Sequence, residues 1–197
     1  MNLRRRSGWQ AFVRAALPVA MLMNGFDAAG ADLDVGTDVY VGAMSRWHRD
    51  AGHTSGFDTY YVTAELNVYP FGKPYHAGLF VDYRDSSSAR LTDNVNIGGY
   101  VRYDFSRWDS TAWLFSNRSP DSSGTWVYAA RLRYRLKDDH KLGIEALAPL
   151  ENAGEPVVMG GYYGSVSKAL SVRVLAGAGI NHGPDFAGRF ELLWQVR

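Results

Sequence analysis

The sequence predicts an all-β fold, a single antiparallel barrel of about ten strands, with eight as the alternative, behind a secretory leader. Three observations predict it. Apolar and polar residues alternate with a period of two over long stretches beyond residue 32. The connections between those stretches run alternately short and long. The first 31 residues have the layout of an export signal rather than of a folded element.

The leader comes first. Arg4, Arg5, Arg6 and Arg14 precede an apolar run from Ala15 to Met23, and Ala29-Gly30-Ala31 offers a small-x-small cleavage site. The run is about half of the ~20 residues that a spanning helix needs. Residues 1–31 therefore read as a cleaved signal peptide and residues 32–197 as one domain, long enough for a single core but not for two. Loss of the four arginines and Asp27 takes the formal charge from +1 to −2. A domain so near neutrality has no electrostatic case for nucleic acid. The absence of cysteine excludes disulfide scaffolds, thiol catalysis and zinc–thiolate sites.

The strands follow. Leu33, Val35, Thr37, Val39, Val41 and Ala43 alternate with Asp34, Gly36, Asp38, Tyr40, Gly42 and Met44. Tyr60, Val62, Ala64, Leu66 and Val68 alternate with Tyr61, Thr63, Glu65 and Asn67. Val95 to Phe105 interleaves with Asn96, Gly98, Tyr100, Arg102 and Asp104. The clearest stripe, Trp126 to Leu136, is interleaved with Arg131, Arg133 and Arg135. Val172 to Ile180 and Phe190 to Val196 close the series, and weaker alternation covers 76–84, 111–117, 141–148 and 156–167. Pro70–Tyr75, Ser106–Ser110, Lys137–His140 and Lys168–Leu170 read as short turns, while 49–56, 85–93, 117–124, 149–155 and 181–185 read as open polar loops.

Alternation alone does not say which face is inside. In a soluble ligand-binding barrel the apolar stripes point inward, and in a membrane barrel they point outward. The apolar stripes carry no charge, as a lipid-facing band requires. The polar faces mix both signs of charge with Gly36, Gly42, Gly78 and Gly98, which make room for long neighbours in a narrow lumen. Trp47, Tyr69, Tyr83, Trp108, Trp126 and Trp194 sit near strand ends, where membrane-interface girdles belong.

In these features the mature chain resembles the small bacterial outer-membrane β-barrel proteins, the broad OmpA/OmpX/OmpW-like class. The resemblance implies a Gram-negative outer-membrane location. It also implies contact with outer-membrane lipids and lipopolysaccharide, insertion by the barrel-assembly machinery, and a porin-like or structural role with an envelope protein as a further partner. Such proteins commonly end on an aromatic residue, whereas this chain ends on Arg197 after Phe190, Leu192, Trp194 and Val196.

The expected lumen groups are Glu65, Asp82, Arg102, Asp104, Arg131, Arg133, Arg135, Arg173 and Glu191. Their mixed signs allow either a salt-bridged plug or a narrow path that the three alternate arginines bias toward anions. An enzymatic reading has less to stand on. His48, His53, His76, His140 and His182 are the available bases. His53-Thr54-Ser55 resembles the His-x-Ser pair of lipid A deacylases but lies in the first loop, whereas that class carries it late. No catalytic set, metal site or cofactor is expected. The leading reading is a non-enzymatic barrel with a structural or narrow-channel role. A lipid-modifying outer-membrane enzyme and a secreted soluble barrel for a small apolar ligand are the alternatives.

Overall fold

The computed structural model describes residues 33–48, 59–70, 73–86, 93–120, 124–150, 156–180 and 186–196. The leader, His53, His182, most of the outer loops and Arg197 lie outside these residues, as do the side chains of Trp47 and His48. Ten strands run in chain order: β1 (Leu33–His48), β2 (Thr59–Pro70), β3 (Tyr75–Ser86), β4 (Asn94–Phe105), β5 (Trp108–Arg118), β6 (Thr125–Lys137), β7 (His140–Pro149), β8 (Val157–Ser165), β9 (Leu170–Gly179) and β10 (Ala187–Val196). Each pairs antiparallel with its chain neighbours, and β1 pairs with β10 to close the barrel. Closure leaves no sheet edge unpaired, the condition for strands in hydrocarbon.

The register fixes the barrel's width. Followed through every strand pair, a row that leaves β1 at Asp34 returns to β1 at His48, fourteen residues further on. With a rise of ~3.3 Å and a strand spacing of ~4.8 Å, that stagger gives a tilt of about 45° and a backbone radius of about 11 Å. Inward side chains of ordinary length fill most of such a bore.

One expected turn is shorter than its residues suggest. Phe105 pairs with Trp108 and Asp104 with Asp109, so the β4–β5 connection is Ser106-Arg107 rather than Ser106–Ser110. Ser106 adopts φ 54°, the positive value that a tight hairpin needs at its first central position. Asp109 thereby moves from a turn into a strand.

Polarity is inside out. Leu79 and Val101 on the outer face are each 60% exposed, whereas Asp82, Asp109 and Glu191 are buried at 3%, 2% and 6%. The apolar stripes therefore face outward, which overturns the soluble alternative in which they line a cavity. Among the described residues the fully buried apolar side chains inside gather in two clusters, Met159, Tyr163, Leu175 and Ala187 in one, Met44, Tyr61 and Leu193 in the other. Both lie on the β8–β10, β1 and β2 side, while on the opposite side Phe80, packed on Phe115 at 5.8 Å, and Trp113 line the bore among polar groups.

Two glycines show why small residues punctuate the inward face. A Cβ on Gly42 would stand 2.1 Å from the Tyr61 ring, and one on Gly78 2.6 Å from the Tyr100 ring. Each glycine lets a neighbouring tyrosine lie across the bore.

The outer aromatics form two belts. Tyr75, Tyr103, Phe105, Trp108, Tyr134 and Trp194 lie toward the short turns, and Tyr60, Tyr83, Trp126 and Tyr128 toward the long loops. Trp126 and Tyr134 share the outer face of β6, and eight residues at ~3.3 Å with a 45° tilt separate them by roughly 19 Å along the barrel axis. Tyr69 corrects the sequence expectation. It has the parity of Glu65 and Asn67, and its ring packs on His76 at 4.7 Å, so it stands at the lumen mouth.

Candidate functional site: the charged lumen

A cavity of about 680 Å³ runs inside the barrel, lined from Asn94 and Asn117 at the long-loop end to Asp138, Asp139 and Lys168 in the short turns. Its wall is polar because the inward position of every second residue on β2 to β7 is ionisable, amide-bearing or hydroxylated at most levels. Of the expected lumen residues, Glu65, Asp82, Arg102, Arg131, Arg133, Arg173 and Glu191 line it. Asp104 and Arg135 share the inward parity nearer the short turns.

Most of these charges are already matched. Arg84 Nε donates to Asp82 Oδ2 at 2.7 Å, and Asn96 Nδ2 donates to the same oxygen at 2.9 Å. Arg102 Nη2 reaches Asp104 Oδ1 at 2.8 Å. Arg173 Nη1 and the Tyr61 hydroxyl bind the two oxygens of Glu191 at 3.0 and 2.5 Å. Asp109 holds two cations, Arg133 at 2.7 Å and Lys141 at 2.5 Å. Arg189 Nη2 takes Glu145 at 2.6 Å. Asp38 accepts from Asn67 at 2.8 Å and Gln195 at 2.7 Å, and the Tyr100 hydroxyl binds the other end of the Asn67 amide. Buried charges so paired hold their side chains in place, because a lost partner leaves an uncompensated ion.

The arginine ladder of β6 is thus not one electrostatic unit. Arg133 is neutralised by Asp109, and Arg135 points toward the short turns, while Arg131 has no carboxylate within 4.0 Å among the described residues. Arg131 instead rests against the rings of Trp113 at 4.7 Å and Tyr163 at 5.6 Å, with Thr111 Oγ1 at 3.5 Å from its Nη2. Its Nε is buried without a hydrogen-bond partner.

Sequence reasoning misses Asp109 as a lumen group because it falls in the expected turn Ser106–Ser110, and Lys141 because it opens the weakly alternating stretch 141–148. Their parity with Thr111 and Glu145 was the available signal. It also left Arg189 and Glu145 without a stated relationship, since their contact spans 44 residues. Of the histidines, His76 packs between Tyr69 and Tyr100, and His140 contacts the Tyr162 hydroxyl on the outer face. Among the described residues there is no group of three or more side chains suited to a metal ion.

No protein-family model matches the chain, and no curated protein matches it. Solved structures do. The KdgM porin in complex with disordered oligogalacturonate superposes with a TM-score of 0.53 at 9% identity, covering 82% of this chain and 100% of that one. A second structure of the KdgM porin gives 0.50 with the same coverage and identity. The chain has a porin-like barrel fold. The translocator domain of autotransporter NalP from Neisseria meningitidis is also similar, at a TM-score of 0.35 and 11% identity over 96% of this chain. These likenesses are to outer-membrane β-barrels in general and do not single out the OmpA/OmpX/OmpW-like class.

Proposed function

We propose that this protein is a narrow, non-enzymatic channel of the bacterial outer membrane, passing small polar solutes through a lumen whose walls are fixed by ion pairs. The observation that carries the reading is the 680 Å³ cavity, whose lining residues extend from the long-loop end of the barrel to the short turns. A barrel whose charges were there only to plug it would close that space with side chains from all sides. Here side chains enter from all sides, Phe80, Trp113 and Phe115 among them, and still leave that space between them. The outer apolar stripes and two aromatic belts support insertion into a bilayer with the short turns on the periplasmic side.

Two measurements test the reading in order. An outer-membrane fraction run unboiled and boiled in SDS should show a heat-dependent mobility shift, since a closed hydrogen-bonded ring resists SDS until heated. The folded protein in a planar bilayer should then show small, steady unitary conductance. A heat-modifiable barrel with no conductance above background would make the lumen a structural plug, and a periplasmic soluble band with no shift would remove the membrane reading.

A further inference from the structure

We propose that Arg131 forms an anion-binding site midway along the lumen, suited to the carboxylate of a small organic acid. The proposal deepens the channel reading by naming a solute class.

The site starts from a charge with no carboxylate within 4.0 Å among the described residues. Arg131 is 91% buried by its 9% exposure, and what remains exposed opens on the lumen cavity that it lines. Among the described residues, every other arginine lining the cavity has a carboxylate at hydrogen-bond distance, namely Arg84, Arg102, Arg133, Arg173 and Arg189. Two carboxylates stand close enough in the fold to have served Arg131. Glu145 is its direct partner across the β6–β7 ladder, but it is held by Arg189 and approached by the Tyr163 hydroxyl at 3.5 Å. Glu65 lines the same cavity and, among the described residues, makes no ion pair within 4.0 Å, with Arg131 or any other cation. A buried guanidinium so placed draws its counterion from solution, because an uncompensated charge out of bulk water is costly.

The surroundings select the kind of anion. Trp113 and Tyr163 pack against the guanidinium and hold it in place, so that hydrogen bonds are left to its edges. Thr111 occupies one Nη2 position at a long 3.5 Å and adds a hydroxyl that can turn to donate. A planar carboxylate matches a guanidinium edge with two parallel hydrogen bonds, which a spherical halide cannot do. The bore, some 11 Å in backbone radius before side chains enter it, restricts the rest of the solute to a small body.

Binding is tested without relying on conduction, with acetate as the probe. The mature chain is folded in detergent micelles with ¹⁵N-labelled arginine, and acetate is added at constant ionic strength. One Nε–Hε resonance, absent from Arg131→Gln and from Arg131→Lys, should move saturably, while that of Arg133 should not. Arg131→Lys keeps the charge if Arg131→Gln fails to fold, and it should retain anion preference in a bilayer while losing the preference for acetate over chloride. An Arg131 resonance unmoved by acetate overturns the site, whether or not the barrel conducts. A saturable shift in a barrel that shows no conductance would keep the site and remove the channel.

Discussion

Glu145 faces Arg131 directly across the β6–β7 ladder, yet its carboxylate accepts a 2.6 Å hydrogen bond from Arg189, 44 residues along the chain. The contact reaches from β7 to β10, which makes no ladder with it, so it crosses the bore. By holding Glu145, Arg189 decides that Arg131 is left without a carboxylate. Arg189→Gln should therefore release Glu145 to neutralise Arg131 and abolish anion preference with Arg131 still in place. The reversal potential in a potassium chloride gradient reads this, and an unchanged potential would mean that Glu145 does not exchange partners.

Asp109 is buried at 2% and holds both Arg133 and Lys141. Asp109→Asn leaves two cations facing each other without a carboxylate, and breaking a buried pair in this way costs about 3 kcal/mol. The variant should unfold at lower urea in micelles and, where folded, should prefer anions more strongly than the parent. Arg133→Glu tests the same trio from the other side: it should cost stability while leaving the acetate response of Arg131 intact.

Gly42 is required by the Tyr61 ring, whose hydroxyl is tied to Glu191 at 2.5 Å. Gly42→Ala drives a methyl into a side chain that cannot swing away without losing that bond, an overpacking cost of about 2 kcal/mol. Tyr61→Ala should relieve much of the clash, so the double variant should be less destabilised than the two single changes added together. Urea midpoints of the four proteins give the coupling directly.

Ile144 lies midway along β7 on the outer face and is 56% exposed. On a water-facing surface Ile144→Arg would be nearly neutral. In a bilayer it should cost about 2–4 kcal/mol, as for a cation near the midplane of a barrel's lipid face. Folding yield into phospholipid vesicles, compared with Ile144→Ala, distinguishes the two environments.

Ser106 holds φ 54° in the two-residue β4–β5 turn. Glycine adopts that conformation without strain, so Ser106→Gly should raise stability by about 0.5 kcal/mol. A lowered urea midpoint would indicate that the serine side chain matters to the turn.

Much of the barrel was legible in the sequence because parity is a local property. Alternation in residues 33–48 and 126–136 places each side chain on one face whatever the neighbouring strands do, and ten strands followed from counting such stretches. Where the pattern is interrupted, parity no longer marks the strand's start. Asp109 follows a turn-like Ser-Arg-Trp run, and its pairing with Asp104 and Arg133 shows that the strand has already begun. Tyr69 shows the opposite error, since aromatic character near a strand end suggested a girdle while its parity already placed it in the bore.

By itself the sequence determined an all-β domain with one uncharged face and one charged face, since a period of two needs no partner strand to be read. Tertiary structure alone decided which charges meet. The registers of β7–β8, β8–β9 and β9–β10 set which level of β10 stands near which level of β7, and the curvature of the ring brings Arg189 to Glu145. Pairing across a bore depends on several strand registers and on the curvature of the closed sheet, and no local stretch of the chain contains that information.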